Sequence, residues 1–464
     1  MECLENLFKT WSKRKLTWLG KITVIKTLGI SQIIYAITSI EAPGWFVERT
    51  KSMFENFVWN NKPARVKNKV MCNNYDMGGL RMPDLDSFIK SQNIAWIKRL
   101  LENQSTLPFS YISSFIEMSF DHYLKCNPNP NCLPKNLPIF YKLILLSWFA
   151  LKQEPLTVAD IQREVIWNNK YITINNKSLF NKALYSEGLI FVNDIIQNNG
   201  KFISYETLIN KFKNNITLFD YMCLKDAIPP KWRQLLKTQN TIEMRPTDET
   251  VYFCYNKRFQ PIKLVKSKDI YWILNTQNII KPTCMQSWFD KYLVDFSEKT
   301  WNKIFTLIKT ITLNTKLIEF QFKIIHRVYA SNSYVSNFDN TVSKVCNQCH
   351  ANNNIPHLFV ECIKVKQFWI LFKTWLGNID NSLPALSTVD IIFGIAKCTC
   401  YLANYCIIHA KWYIHLQKNE NSNINFMKFL VYFENVFIID KQLAIHQNKL
   451  SQFKSNMKRL FDIF

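Results

Sequence analysis

Over 464 residues, Lys and Arg outnumber Asp and Glu by 58 to 35, a net charge of +23. A surplus of that size attracts polyanions, so nucleic acid or an anionic membrane surface is the expected kind of partner. Apolar residues make up 48% and glycines number only 9, which supplies a sizeable core and argues for helices over a many-stranded sandwich. The length has room for about two to four domains. The 13 cysteines form no paired framework, and Met1 is followed by Glu2 and Glu5 where a secretory leader would be basic. A reducing intracellular compartment, nucleus or cytoplasm, is expected, with most thiols as small buried hydrophobes.

Residues 1–60 predict three helices. Leu4, Leu7, Phe8 and Trp11 recur at helical spacing. Ile22, Ile25, Leu28, Ile33 and Ile37 mark the apolar face of the second helix, with Lys13, Arg14, Lys15, Lys21 and Lys26 on or beside the other face. Pro43-Gly44 ends it, and a third helix carries Phe46, Met53, Phe54, Phe57 and Val58. A basic turn follows, with Lys62, Arg65, Lys67 and Lys69 within eight residues. Gly78-Gly79 is the only double glycine, and it predicts a backbone conformation that side chains forbid. Pro83-Asp84 then opens a helix through Leu85, Phe88, Trp96 and Leu100.

From 107 to 138 the period is lost. Asn127, Pro128, Asn129, Pro130, Asn131 and Pro134 predict a loop and a domain boundary. Cys126 and Cys132 have no further ligand beside them and read as loop residues. A short helix is expected over 140–151, and short strands or turns over 166–174 and 189–192. Asn175-Asn176 is a candidate hairpin tip and Asn199-Gly200 a turn. Helices are expected over 205–212 and 218–227, broken at Pro229-Pro230. A small basic hairpin is expected from 251–255 and 262–265, carrying Lys257, Arg258, Lys263, Lys266 and Lys268. Helices should follow over 269–274, 288–316 and 317–329.

Cys346, Cys349, His357 and Cys362 stand in the spacing Cys-x2-Cys-x7-His-x4-Cys. Thiolate and imidazole are the ligands that a tetrahedral structural Zn2+ takes, and the first pair fits one tight turn. The plainer reading is a pair of core cysteines beside an unrelated histidine. His350 is a poorer geometric candidate, because it shares the turn with Cys349. Val365, Phe368, Trp369, Phe372 and Trp375 then form an apolar stripe expected to be core. Residues 391–414 are apolar enough to be tested as a membrane span. Lys397, Asn404, His409 and Lys411 favour a buried helix instead, so no membrane partner is expected. Cys398, Cys400 and Cys406 there read as core thiols. The tail over 441–464 is basic and amphipathic, with Lys449, Lys454, Lys458 and Arg459.

Several of these stretches, in this order, resemble the reverse transcriptases of LINE-type non-LTR retrotransposons. WSKRKLTWLGKITVIKTLGISQIIY, FVWNNKP and YDMGGLRMPDL resemble the thumb, and the stretch from Trp167 to Ile196 is similar to the linker. KLIEFQFKIIHRVYASNSYV with the Cys-Cys-His-Cys stretch is similar to the zinc-binding module near the end of the second reading frame. The resemblance spans nearly the whole chain. It implies a mainly α, multi-domain protein: a helical thumb over 1–104, a mixed linker with small hairpins over 105–250, a small hairpin plus helices over 251–315, the zinc-binding module over 316–376 and a helical tail over 377–464. It also implies RNA and DNA as partners, held through their backbones during target-primed reverse transcription. Lys13, Arg14, Lys15, Lys21, Lys62, Arg65, Lys67 and Lys69 are the candidate contacts of the thumb, and Arg327, Lys344, Lys364 and Lys366 those of the zinc-binding module. Each is equally readable as part of a solvated face.

The family's polymerase palm carries paired aspartates that hold two metal ions, and this sequence has no Asp-Asp pair. Nor does it show a Gly-rich phosphate loop, a nucleophile elbow or a metallohydrolase motif. The expectation is a carboxy-terminal part that binds and does not polymerise or cut DNA alone, with the missing palm and fingers region as a further partner. A zinc-stabilised structural or protein-interaction module without a nucleic-acid role is the alternative. Oligomeric state is not legible from the sequence.

Overall fold

A computed structural model describes residues 1–464 except 153, 198, 213–215, 239–250, 256–257, 384, 397–399, 421, 462 and 464, with the backbone alone at 238, 252–255 and 258–259. The protein is mainly helical, with two short antiparallel hairpins among the described residues. It divides into two compact units, neither continuous in sequence: 1–32, 48–83 and 278–464 form the first, and 33–47 with 84–277 the second. The unit boundaries therefore fall at none of the positions 104, 250, 315 or 376 read from the sequence.

The three N-terminal helices are Glu2–Ser12, Trp18–Ser39 and Gly44–Trp59, and the first unit takes the first of them whole with residues 18–32 and 48–59 of the other two. The Thr17 hydroxyl caps the second by accepting from the Gly20 N–H. One turn of it, Ile25–Gly29, is wound as a π-helix. Phe8 packs on Phe54 and Phe57, and Trp18 meets Trp59 edge-on at 4.8 Å. Each such ring pair adds about 0.5–1.5 kcal/mol beyond area burial. The double glycine does what its sequence predicts. Gly78 has φ +73°, and a Cβ there would lie 2.8 Å from Pro282 Cγ.

The expected helix over 288–316 is two, Thr283–Tyr292 and Glu298–Ile311, because Leu293 adopts a left-handed C-cap at φ +53°. The apolar run over 391–414 is also divided. Thr388–Phe393 ends at Gly394, where φ is +87° and a Cβ would meet Leu307 Cδ2 at 2.5 Å, and the next helix is Tyr401–Asn419. Lys397 and Cys398 lie outside the described residues. Among the described residues Trp18–Ser39 is the one helix long and apolar enough to cross a membrane. The helix expected over 317–329 is Thr315–Ile325, and Ile363–Ile379, Phe426–His446 and a short helical tail also belong to the unit.

In the second unit Leu85–Glu102 and Ile139–Phe149 pack together, and Ser267–Gln277 packs on the first of them. Asp84 caps Leu85–Glu102 through Ser87 N, as Pro83-Asp84 predicts. The hairpin Thr173–Ile174 with Lys177–Ser178 turns at Asn175 and Asn176, both at positive φ, which is the tip expected. The second hairpin pairs Tyr252–Tyr255 with Arg258–Pro261, so its return strand begins earlier than 262. Lys257 is outside the described residues, and of Arg258 only the backbone is described. The stretch over 107–138 is not a boundary. It forms helices Leu107–Ser113 and Phe120–Lys125, and Ile112, Phe120, Leu124, Cys126 and Leu137 enter one core with Ile144, Trp148, Trp167 and Trp232. Its breakers hide buried apolar residues that no helical period links.

Candidate metal centre and basic surface

Cys346 and Cys349 sit in a hairpin turn closed by bonds that strands and turns rarely leave open. Cys346 N–H donates to Ala351 O at 2.8 Å, and His350 N–H to Cys346 O at 2.9 Å, with His350 at φ +55°. Val345 bridges Asn352, and Asn353 N–H donates to Lys344 O. His357 and Cys362 come from the next segment. Sequence periodicity puts residues five apart only roughly on one face of an α-helix, but His357–Glu361 is a π-turn. The Cys362 N–H donates to His357 O at 2.8 Å, the i to i+5 bond of that turn, and Cys362 stands immediately before the helix Ile363–Ile379. Asn354 Oδ1 holds the start of the turn through the His357 N–H at 2.9 Å.

The four ligand atoms lie within 4.8 Å of one another and could hold a metal ion. Cys346 Sγ is 3.8 Å from Cys362 Sγ, and Cys349 Sγ is 3.3 Å from His357 Nε2. His357, Cys346 and Cys362 are buried and Cys349 is half-buried, whereas His350 is exposed. Burial opposes ionisation of Cys346, but hydrogen bonds from the His357 side chain and from the backbone of Gln348 and Cys349 outweigh it and bring its pKa down. Burial pushes the Cys362 thiol up. Behind the cluster, Trp369 Nε1 donates to Phe359 O at 2.6 Å, and Phe359 packs on Phe320 and Tyr329. Phe368, Trp369 and Phe372 are buried, so the apolar stripe is core. Ser333 N–H donates to Asn353 O, which ties the short helix Asn332–Val335 to the hairpin.

Of the twelve cations singled out in the sequence, ten are exposed: Lys13, Arg14, Lys15, Lys62, Arg65, Lys67, Lys69, Lys344, Lys364 and Lys366. The other two are engaged inside. Lys21 is 2% exposed, and its ammonium donates to Phe57 O at 2.7 Å, to Val58 O at 3.2 Å and to Asn60 Oδ1. Those carbonyls end the helix Gly44–Trp59, where a cation meets both unsatisfied acceptors and the negative end of the helix dipole. Burial lowers the Lys21 pKa and Glu319 opposes that. Arg327 Nη1 donates to Ser287 O at 2.6 Å, and its guanidinium lies 5.2 Å from Trp288 and 5.5 Å from Tyr292.

The Trp18–Trp59 contact and the Lys21 bonds join the segment that follows the basic turn 13–15 to the one that precedes the basic turn 62–69. Arg65 acts electrostatically on Tyr334, in the helix tied to the metal hairpin. Among the described residues, none of the seven cations in these two turns is in an ion pair. No protein-family model matches the chain.

The sequence reading missed a second gathering of charge. Lys309, on Glu298–Ile311, lies 2.9 Å from the centre of the Tyr75 ring, and the Arg81 guanidinium 4.5 Å from it. Lys26 acts on the same lysine. Residues 26, 75, 81 and 309 share no local pattern, so only the fold could reveal them. In the second unit a cleft of about 540 Å³ is lined by Ile37, Val47, Asp86, Asn93, Phe140 and Phe149 among others. None of the residues singled out for function lines it.

Proposed function

We propose that this chain is a carboxy-terminal, nucleic-acid-binding part of a LINE-type reverse transcriptase, made of thumb, linker, zinc-binding module and helical tail. The observation that carries the reading is the two basic turns, 13–15 and 62–69, whose seven cations are exposed and without ion pairs among the described residues. Cations left without a paired carboxylate are available to phosphates. Contacts of this kind grip a duplex without reading its bases, as a polymerase requires. Intracellular RNA and DNA are the partners in this reading, without a membrane. The chain contributes binding and no catalytic group of its own.

The metal in this proposal is Zn2+. With Zn–S bonds of about 2.3 Å, the edge of a tetrahedron between two sulfurs is about 3.8 Å, which is the Cys346–Cys362 separation. A sulfur–nitrogen edge is about 3.6 Å, near the 3.3 Å between Cys349 and His357. Three thiolates and an imidazole leave no open position for substrate, so the ion would be structural. It would fix Lys344, Lys364 and Lys366 around the hairpin and the start of Ile363–Ile379.

The test is RNA and DNA binding by the purified chain across salt concentrations, with the zinc-replete protein and with Cys346→Ser/Cys349→Ser. Neutralising about 6 phosphates weakens binding roughly 1000-fold between about 50 and 200 mM salt. Tight binding with that slope supports the reading, and weaker binding by the double variant places zinc within the binding unit. Absence of binding at low salt removes the reading and leaves the interaction-module alternative. That alternative has its own support. Met427, Val431, Ile438 and Ile445 are exposed on one face of Phe426–His446.

A further inference from the structure

We propose that Arg81 and Lys309, both set over the Tyr75 ring, form with Lys26 a phosphate-binding seat on the first unit, separate from the two basic turns. Three elements far apart in sequence supply it. Lys26 stands on the π-turn Ile25–Gly29, Arg81 follows the double glycine, and Lys309 is near the end of Glu298–Ile311. The 3-10 turn Tyr75–Met77 packs against Glu298–Ile311 and sets the ring beside Lys309. Gly78 lets that packing close, because any Cβ would strike Pro282 and Phe305. Arg81 is itself fixed: its φ is +57°, and its Nε donates to Asn74 Oδ1 at 3.0 Å.

The charges are of one sign and are held close. Among the described residues neither lysine ammonium has a hydrogen bond or an ion pair, and Lys309 has only the Tyr75 ring. Burial, then repulsion from Arg81 and Lys26, brings Lys309 down to about 7, and burial followed by repulsion from Arg81 brings Lys26 to about 8. Folding does not gather like charges for its own stability. A planar guanidinium with two point-charge ammoniums suits a tetrahedral oxyanion, whose oxygens accept from several directions at once. An arriving phosphate would restore the full charge of both lysines and so take up protons.

The source of the phosphate is a nucleic-acid backbone if the proposed function holds, and the seat rests on that reading only for its source. The full chain would be tested with inorganic pyrophosphate and with an RNA–DNA duplex, as wild type, as Lys26→Gln and as Lys26→Gln/Lys309→Gln. The expected result is pyrophosphate binding that weakens at least about tenfold in the double variant, and a duplex salt slope smaller by about 2. Titration of the duplex at pH 8 in buffers of different ionisation enthalpy should show proton uptake by wild type and less by each variant. The double variant should unfold no sooner than wild type, since it loses repulsion. Should it fail to fold, proton uptake by Lys26→Gln decides. Duplex binding with an unchanged slope and unchanged pyrophosphate affinity would overturn the seat and leave the nucleic-acid reading standing. Pyrophosphate binding lost in the double variant, with no duplex binding by wild type, would support a seat for free phosphate and remove that reading. Wild type that binds neither overturns both.

Discussion

The two units hold their irregular chain by different means. In the second unit, the short helices, hairpin and turns over 107–138 and 165–197 are pinned by large apolar side chains reaching one shared core, with Trp148, Trp167 and Trp232 each almost fully buried. Trp148 Nε1 and Trp167 Nε1 also donate to the carbonyls of Leu124 and Leu189. In the first unit, the hairpin over 344–353 offers little apolar surface, and Asn352, Asn353 and Asn354 fill it with polar atoms. It converges instead on four side chains that could hold a metal ion. Where a loop can bury a tryptophan it needs no ion. In the proposed zinc site, ligand bonds take the place of hydrophobic burial.

Removing the ion should break this contrast most sharply. Structural zinc contributes about 10–16 kcal/mol in finger peptides, and part of that is expected here. Zinc analysis should find one ion per chain, lost in Cys346→Ser/Cys349→Ser. Hydrogen exchange should accelerate over 331–362 and not in the second unit; unchanged protection over 331–362 on chelation would refute a metal-held hairpin. Trp167→Ala is the reciprocal change. It should cost about 3–5 kcal/mol in denaturant unfolding and leave zinc content intact.

Lys21→Ala and Lys15→Ala compare a cation used inside with one left outside. Loss of Lys21 leaves the carbonyls of Phe57 and Val58 unsatisfied and should cost about 2–4 kcal/mol. Lys15→Ala should change stability by less than about 0.5 kcal/mol while lowering the salt slope of nucleic-acid binding by about 1. Equal stability losses would show that exposure does not separate the two roles.

The smallest effect concerns pH. Lys411 is 1% exposed, its ammonium donates to Gln321 Oε1 at 2.6 Å and to Ile392 O at 3.0 Å, and burial brings it to about 7. Unfolded, it would titrate near 10.5. Between these values the unfolded chain binds the extra proton, so this residue makes stability rise with pH across the window. Its cost is fully present below about pH 7. Unfolding of Lys411→Met across that range should show a flatter rise. An identical profile would mean that the lysine stays charged in the fold.

The sequence determined the local matters. Side-chain period, capping residues and turn chemistry are properties of neighbours, so the N-terminal helices, the Asn175-Asn176 tip, the Asp84 cap and the strained double glycine could be read directly. The cluster of Cys346, Cys349, His357 and Cys362 was legible for the same reason, because the four fall within seventeen residues of one another. Tertiary structure decided which charges face water. Lys21 and Lys15 look alike in sequence, and only the packing of Trp18 on Trp59 sends one under a helix end and leaves the other outside. It also decided the units, since the core that takes in 107–138 joins residues too far apart for any period to link. The meeting of Arg81 and Lys309 over Tyr75 belongs to the same class. Spacing along a chain carries no information about distances closed by burial, which depends on every side chain that must leave water together.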